Sequence, residues 1–315
     1  MPMRLSRSRL CLIALAAALL GGCSTPTDDA AAPAADVPSA AVDSTLAAEL
    51  PDGVKSSQQI SLGALWETPP VISVTTTDTS TPVGIAPDLA AAIAPVLGVK
   101  MVWKNMQWPA QLPGVQSGSV DALWGQVSAT EEREKGVVDL VPFYKSTMAL
   151  LMLSDKTSGV TALAGMCGKR VGLPVGSIQS DTVKKVSAAS CSSNPIKLAE
   201  YSGATAAISA VRAGTVDAWM DSTTSQEAVL KKSGSTFGIV EVPAGEFPAQ
   251  YTTIAIGKAQ PGLTKAVLGA MQKIVADGTY DKIMAKYDMS SAAITSSELV
   301  ANPVSRTAIG EKAAS

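Results

Sequence analysis

One charged residue stands where local rules give it no partner. In "SATEEREK" (128–135) a helix start is legible: Ser128 or Thr130 can cap it, and glutamates fill the first turn, where the helix dipole favours negative charge. Arg133 sits in that same turn with the disfavoured sign. Its neighbours three and four positions away are Thr130, Ala129, Gly136 and Val137, so no acid on its own helix pairs with it, while Glu131 is spaced to pair with Lys135. The bland alternative is a solvated surface arginine; the sharper one is a guanidinium fork held for a carboxylate. A second element bears on the choice. "GVQSGSVDALWG" (114–125) and "SAVRAGTVDAWMD" (209–221) share a Gly-x-Val-Asp-Ala core, Gly118 matching Gly214 and Asp121 matching Asp217. In each copy the glycine can end a helix and the apolar residues after it can form a short buried strand. Two copies, one per half of the chain, imply two α/β lobes built alike. In open α/β sheets ligands bind beyond the carboxyl ends of the strands. Those ends are residues 125–128, just before Arg133, and Asp221. A cation and an acid facing each other across a cleft suit a zwitterion.

Composition removes several chemistries. The 315 residues contain no histidine, which excludes Ser-His-Asp and Cys-His catalysis, histidine metal sites and imidazole acid–base work. No other nucleophile motif or metal constellation is legible, so no cofactor is expected. The opening "MPMRLSRSRL", then "CLIALAAALL", then "GGC", follows the charged, apolar and small-residue order of a secretory signal, with an apolar run too short to span a membrane. Removing residues 1–22 takes away Arg4, Arg7 and Arg9 and no acids, which shifts the formal charge from −2 to −5. A mildly acidic surface without basic clusters argues against nucleic acid. "STPTDDAAAPAADVPSAAVDS" lacks periodicity and reads as a flexible tether through residue 54. About 260 residues then remain, more than one compact core usually holds. Cys167 and Cys191 are left in the exported soluble part. In an oxidising compartment they are most simply a structural disulfide, with a reactive pair as the minor alternative.

Two resemblances sharpen this reading. "LGGC", ending at Cys23, resembles a lipobox, which implies acylation (palmitate) of that cysteine and a lipid anchor on the outer face of the cell membrane; an ordinary signal with a chance cysteine is the alternative. Between about 55 and 290, six blocks occur in the order found in family 3 solute-binding proteins, the amino-acid receptors of ABC importers. "ISLGALWETPPV" (60–71) resembles the first strand and its Tyr-Pro-Pro-Phe-like turn. "PVGIAPDLAAAIAPVLG" (82–98) resembles the Gly-Phe-Asp-x-Asp-Leu helix. "WPAQLPGVQSGSVDA" (108–122) resembles the Trp-x-x-Leu-Ile-Pro-x-Leu-x-Ser-Gly-x-x-Asp block, and "SATEEREKGVVDLVPFYKS" (128–146) the Thr-x-Thr-x-Glu-Arg signature. "GKRVGLPVGS" (168–177) and "VADGTYDKIMAKY" (275–287) resemble the second lobe's glycine-rich strand–turn and the closing helices.

The resemblance implies a type II periplasmic-binding-protein-like clamshell: lobe 1 at 55–148 plus 250–290, lobe 2 at 153–244, and hinges near "TMALLM" and "EFPAQYT"; beyond it, residues 291–315 read as a polar extension, free or packed on a lobe. The resemblance places the carboxylate-binding arginine on Arg133, the accompanying hydroxyl on Ser128, the ammonium-accepting carbonyl near Gln126 and the ammonium-binding acid on Asp221. A helix start at Ser177 and Ile178 replaces the family's Gly-Thr-Thr and loses one hydroxyl. Thr68 and Val71 stand where the family's turn has aromatics, so the side-chain clamp falls to Trp108 and Trp66, although Trp108 reads equally well as a core residue. Leu65 stands where binders of cationic amino acids carry an acid, which favours a neutral or polar L-amino acid, with Glu67 as the residue that could reverse this. The implied partners are an ABC permease and, through the anchor, the membrane; a monomer is expected. The rival readings are a dehydratase-like enzyme on the same fold and a binder or sensor of another small carboxylate.

Overall fold

The computed structural model describes residues 41–311. The signal, Cys23 and the first part of the expected tether lie outside them. The remainder of that tether is a correction: it is helical. Helix α1 (Ser44–Glu49) begins where the Asp43 side chain accepts hydrogen bonds from the N–H groups of Thr45 and Leu46, and α2 (Asp52–Ser57) follows directly. Leu50 and Val54 are buried in the neighbouring core, and Lys273 reaches Asp43 at 2.6 Å. An alanine-rich composition hid an ordinary aspartate cap and two apolar anchors.

The chain then builds a first sheet. It runs β1 (Gln59–Ala64), α3 (Ile85–Leu97), β2 (Lys100–Asn105), α4 (Trp108–Gln116), β3 (Ala122–Ser128), α5 (Glu131–Lys135) and β4 (Val138–Ser146). Along α3, Ile85, Leu89, Ile93, Val96 and Leu97 recur at helical spacing and are all buried, and Gly98 at φ 68° ends the helix. A second sheet follows: β5 (Met148–Leu153), β6 (Arg170–Pro174), α6 (Ile178–Ser190), β7 (Lys197–Tyr201), α7 (Ala204–Arg212), β8 (Ala218–Ser222), α8 (Thr223–Ser233) and β9 (Phe237–Glu241). The chain returns to the first sheet through β10 (Gln250–Gly257), then α9 (Pro261–Ala276) and α10 (Thr279–Lys286).

The sheets have the same plan. The first is ordered β2-β1-β3-β10-β4 and the second β7-β6-β8-β5-β9. In each, a parallel trio is extended by one strand antiparallel to it (β10 or β5) and then by an edge strand antiparallel to that one (β4 or β9). The strand next to the central one, β10 or β5, adjoins a crossover between lobes. These are the two α/β lobes built alike that the repeat implies. The first link falls at the start of "TMALLM" and is shorter than the expected gap between lobes. Five of the six residues of "TMALLM" form β5, buried between β8 and β9, so the second sheet begins at Met148 rather than 153 and the link is Thr147. The return link is 242–249, ahead of the strand that takes up the end of "EFPAQYT".

The repeated aspartates explain the shared plan. Asp121 Oδ2 accepts from Ser61 N at 2.7 Å and from Ser61 Oγ at 2.6 Å. Asp217 Oδ2 accepts from Arg170 N at 2.7 Å. Each aspartate thus ties the entry of a central strand to its parallel neighbour. Gly118 (φ 74°) and Gly214 (φ 70°) make the preceding turns in the left-handed region that glycine occupies without strain.

The segment after 290 takes the packed form of the expected polar extension. It is a strap packed on the first lobe, in which Ile294, Leu299 and Asn302 are buried. Asn302 bonds Leu140 N and Asp139; the buried Glu134 carboxylate accepts from Val304 N and Ser305 N. Its polar side chains satisfy buried partners rather than water.

Candidate functional site

Arg133 is positioned by its own short helix. Thr130, not Ser128, caps α5 and accepts from Arg133 N at 3.2 Å, while Glu131 meets Lys135 as spaced. The guanidinium turns back toward the cleft. Its Nη1 donates to Ser128 O at 2.8 Å, and its carbon lies 5.4 Å from the centroid of the Trp108 ring. Burial depresses its pKa, opposed by the charges of Glu132 and of Asp181 across the cleft. A desolvated guanidinium with one nitrogen fixed on a carbonyl retains donors for an incoming anion.

Asp221 is its counterpart on the second lobe, near the end of β8 and 5% exposed. Burial raises its carboxyl to about 6, and the hydrogen bond from Ser222 N, 2.7 Å from Oδ1, offsets only part of the cost of desolvation. Neither Arg133 nor Asp221 forms an ion pair among the described residues.

Both side chains line one cavity, whose empty space is about 580 Å³ when its open mouth is counted. The same cavity receives Gln126, Ser128 and Trp108 from the first lobe and Ser177 and Ile178 from the second. Arg133 and Asp221 are the only charged residues among those described around it. Gln126 differs in detail from the expectation of a carbonyl alone. Gly125 and Gln126 fall in a bulge where the β3–β10 register slips, and the Gln126 side chain spans the lobes, donating to Ser222 Oγ (3.1 Å) and Ser225 Oγ (2.6 Å). Ser177 is occupied in capping α6, accepting from Ser180 N at 3.4 Å. Cys167 and Cys191 are bridged, away from the cleft.

Trp66 is the expected site residue that the structure does not bring to the cavity. It packs against the first lobe's core, with its indole N–H buried. Glu67 is also elsewhere engaged: its Oε2 accepts from Thr205 N at 3.1 Å, at the start of α7 on the opposite lobe. Conversely, the cavity is lined by Gln111 and Gln179, which sequence reasoning passed over. The available signal for Gln111 was an amide in the leucine slot of the "WPAQLP" block.

The sequence profile of the bacterial extracellular solute-binding proteins, family 3, matches residues 60–290. This chain is 32% identical over 111 residues to a probable histidine-binding protein of Campylobacter jejuni, an alignment covering 35% of this chain and 43% of that protein. It is 26% identical over 208 residues to a probable histidine-binding protein of Neisseria gonorrhoeae, covering 65% and 74%. Among solved structures, an ancestral arginine-binding protein bound to arginine superposes with a TM-score of 0.66 at 28% identity, over 73% of this chain and 98% of that one.

Proposed function

The chain belongs to the bacterial extracellular solute-binding proteins, family 3, and on that premise we propose that it captures a neutral or polar L-amino acid and presents it to an ABC importer. One observation carries the reading: the cavity holds a single cation and a single anion, on opposite lobes, each without an ionic partner of its own. That balance fits an α-carboxylate and an α-ammonium and leaves no charge over for a cationic or anionic side chain. Glu67, the residue that could have favoured lysine or arginine, has its carboxylate turned to Thr205. The names of the relatives support an amino acid as the ligand class.

Arg133, with Ser128 beside it, receives the carboxylate on the first lobe; the guanidinium fork matches its two oxygens. Asp221 then meets the ammonium as the second lobe closes, with acceptors near Gln126 completing its shell. The ligand favours the closed form because it touches both lobes at once, and Thr147 and residues 242–249 absorb the backbone change. No chemical step is involved. Cys23 carries the lipid anchor that keeps the receptor, a monomer, near its permease; partition into detergent that survives Cys23→Ala would overturn this part.

The test of the ligand class is a thermal-shift panel of the L-amino acids. A ligand at a hundred times its Kd adds about 2.7 kcal/mol of stability. The best ligand's decarboxylated amine and its deaminated acid should each lose most of the binding. If either analogue binds as tightly as the amino acid, the zwitterion reading fails.

A further inference from the structure

One group in the cavity has chemistry that the backbone of an amino acid does not use. Gln111 is 2% exposed and lines the cleft one helical turn beyond Trp108. Its Nε2 donates to Met106 O at 3.1 Å. Because a carbonyl can only accept, this bond fixes the amide: the NH₂ end is committed to Met106, and Oε1 is the end left over. That oxygen is buried and has no partner. A buried acceptor without a donor is costly to maintain, and such atoms in native structures call for an explanation. The surrounding wall is also unusual for the resemblance noted above. Thr68, on the wall of the same cavity, stands in place of a tyrosine and shortens that wall, and its Oγ1 makes only long contacts of 3.5 Å, to Leu65 O and Ile72 O.

We propose that Gln111 is a specificity-determining residue, and that the ligand is an L-amino acid whose neutral side chain carries an N–H or O–H donor that Gln111 Oε1 accepts. This rests on the amino-acid reading above and narrows it. Arg133 and Asp221 hold the invariant part of the ligand, and the gap left by the short Thr68 side chain takes the variable part. A carboxamide of glutamine length fits this chemistry best, since it offers two donors to a wall that holds Gln111 Oε1 and the Thr68 hydroxyl. An apolar side chain of the same length would leave Oε1 as unpaired in the complex as it is without ligand. A site built to bond a polar group rejects the analogue that lacks it more sharply than it rejects a difference of one methylene.

The test is calorimetric titration of the whole mature protein with L-glutamine, L-asparagine, L-threonine, and L-methionine as the apolar control close to glutamine in length. The donor-bearing side chain that fits best should bind tighter than L-methionine by roughly tenfold to a hundredfold, the effect of one buried hydrogen bond. Gln111→Leu should erase or invert that preference. Gln111→Glu, which keeps an acceptor and adds a charge, should bring in L-lysine or L-arginine. L-methionine binding the wild type as well as the polar ligands do would overturn the proposal without recourse to any variant. So would a preference unchanged in a folded Gln111→Leu protein. Failure of every amino acid to bind would overturn the broader reading and this one with it, whereas binding without the preference overturns this one alone.

Discussion

The two lobes share a strand plan and the same aspartate tie at the entry of the central strand, yet they deliver opposite charges to the cleft and are held together differently. From the first lobe, β3 leads within five residues to Arg133; from the second, β8 delivers Asp221 directly. The first lobe is enlarged by α1, α9, α10 and the strap. Its buried Lys258–Asp139 pair is completed by Thr264, Asn302 and Gly310, with Lys258 also donating to Glu311 O. The second has a smaller core and a covalent staple joining the turn before β6 to the end of α6. A duplicated frame fixes where strand ends lie. What those ends do depends on the few residues that follow them, and how firmly they are held depends on what each lobe adds outside the repeat.

The sharpest way to break the comparison is to remove one of the two charges. Arg133→Ala strips a desolvated carboxylate of its partner, which typically costs about 2–5 kcal/mol, or roughly thirty- to several-thousand-fold in affinity. Arg133→Lys should recover only part of this, because an ammonium lacks the fork. If Arg133 were an ordinary helix residue, its removal would instead leave binding unchanged and relieve a misplaced charge at the start of α5. Titration followed by tryptophan fluorescence separates these outcomes.

The staple gives the second contrast. Cys167 and Cys191 are 24 positions apart, so reduction releases a loop of about 25 residues, worth roughly 3 kcal/mol in the chain-entropy model. The loss should fall on the second lobe. Hydrogen exchange after reduction is expected to accelerate in β6 and α6 and to leave β1, β3 and the strap as they were. Uniform acceleration would mean that the lobes unfold as one unit.

Asp221 should behave oppositely in stability and in binding. Its folded carboxyl is raised to about 6 from an ordinary 3.8, so the ligand-free fold holds this proton more tightly than the unfolded chain does. The group therefore costs stability as pH rises through that window, and the full cost, at most about 3 kcal/mol at 1.36 kcal/mol per unit, is present above pH 6. Asp221→Asn should stabilise the ligand-free protein at pH 7.5 by part of that amount, with little effect near pH 4. The same change should weaken ligand binding severely. In the wild type, affinity should fall by up to tenfold per pH unit below 6, as protonation removes the anion facing the ammonium. Denaturant melts at the two pH values would expose an error in this assignment if the variant were less stable at both.

What could be read from sequence was what depends on short-range spacing. Gly118 with Asp121 and Gly214 with Asp217 sit at fixed offsets from a helix end and a strand start, so the duplicated frame was visible. Arg133 stood out because its own helix offered it no acid. Trp66 was misread because its direction depends on how the chain turns after β1 and which surface then covers it. The 44–57 helices were missed because their stability comes from Leu50 and Val54 docking on a core assembled from distant segments. Gln111 was passed over because its significance lay in Met106 O, five residues earlier, which determines the way the amide faces.

The smallest expected effect concerns Glu67, which joins the two lobes outside the ligand. Helix α7 follows Gly203, which has no side chain to cap it, and among the described residues the side-chain acceptor at its start is Glu67 Oε2, 3.1 Å from Thr205 N. The cap of a second-lobe helix is thus supplied by the first lobe, and only while the lobes are together. Losing it should remove one exposed hydrogen bond that exists in the closed form, at most about 0.5–1.5 kcal/mol, and so weaken binding by up to two- to tenfold. The loss should be equal for every ligand, because Glu67 acts on closure and not on the side chain. Glu67→Gln, which retains an acceptor oxygen, should lose less than Glu67→Ala. A selectivity role makes a different forecast: Glu67→Ala would then reduce binding of L-arginine and L-lysine and spare neutral amino acids. Ratios of affinity across the panel decide the matter. A profile that changes shape in Glu67→Ala returns this residue to the ligand site and reopens the case for a cationic amino acid.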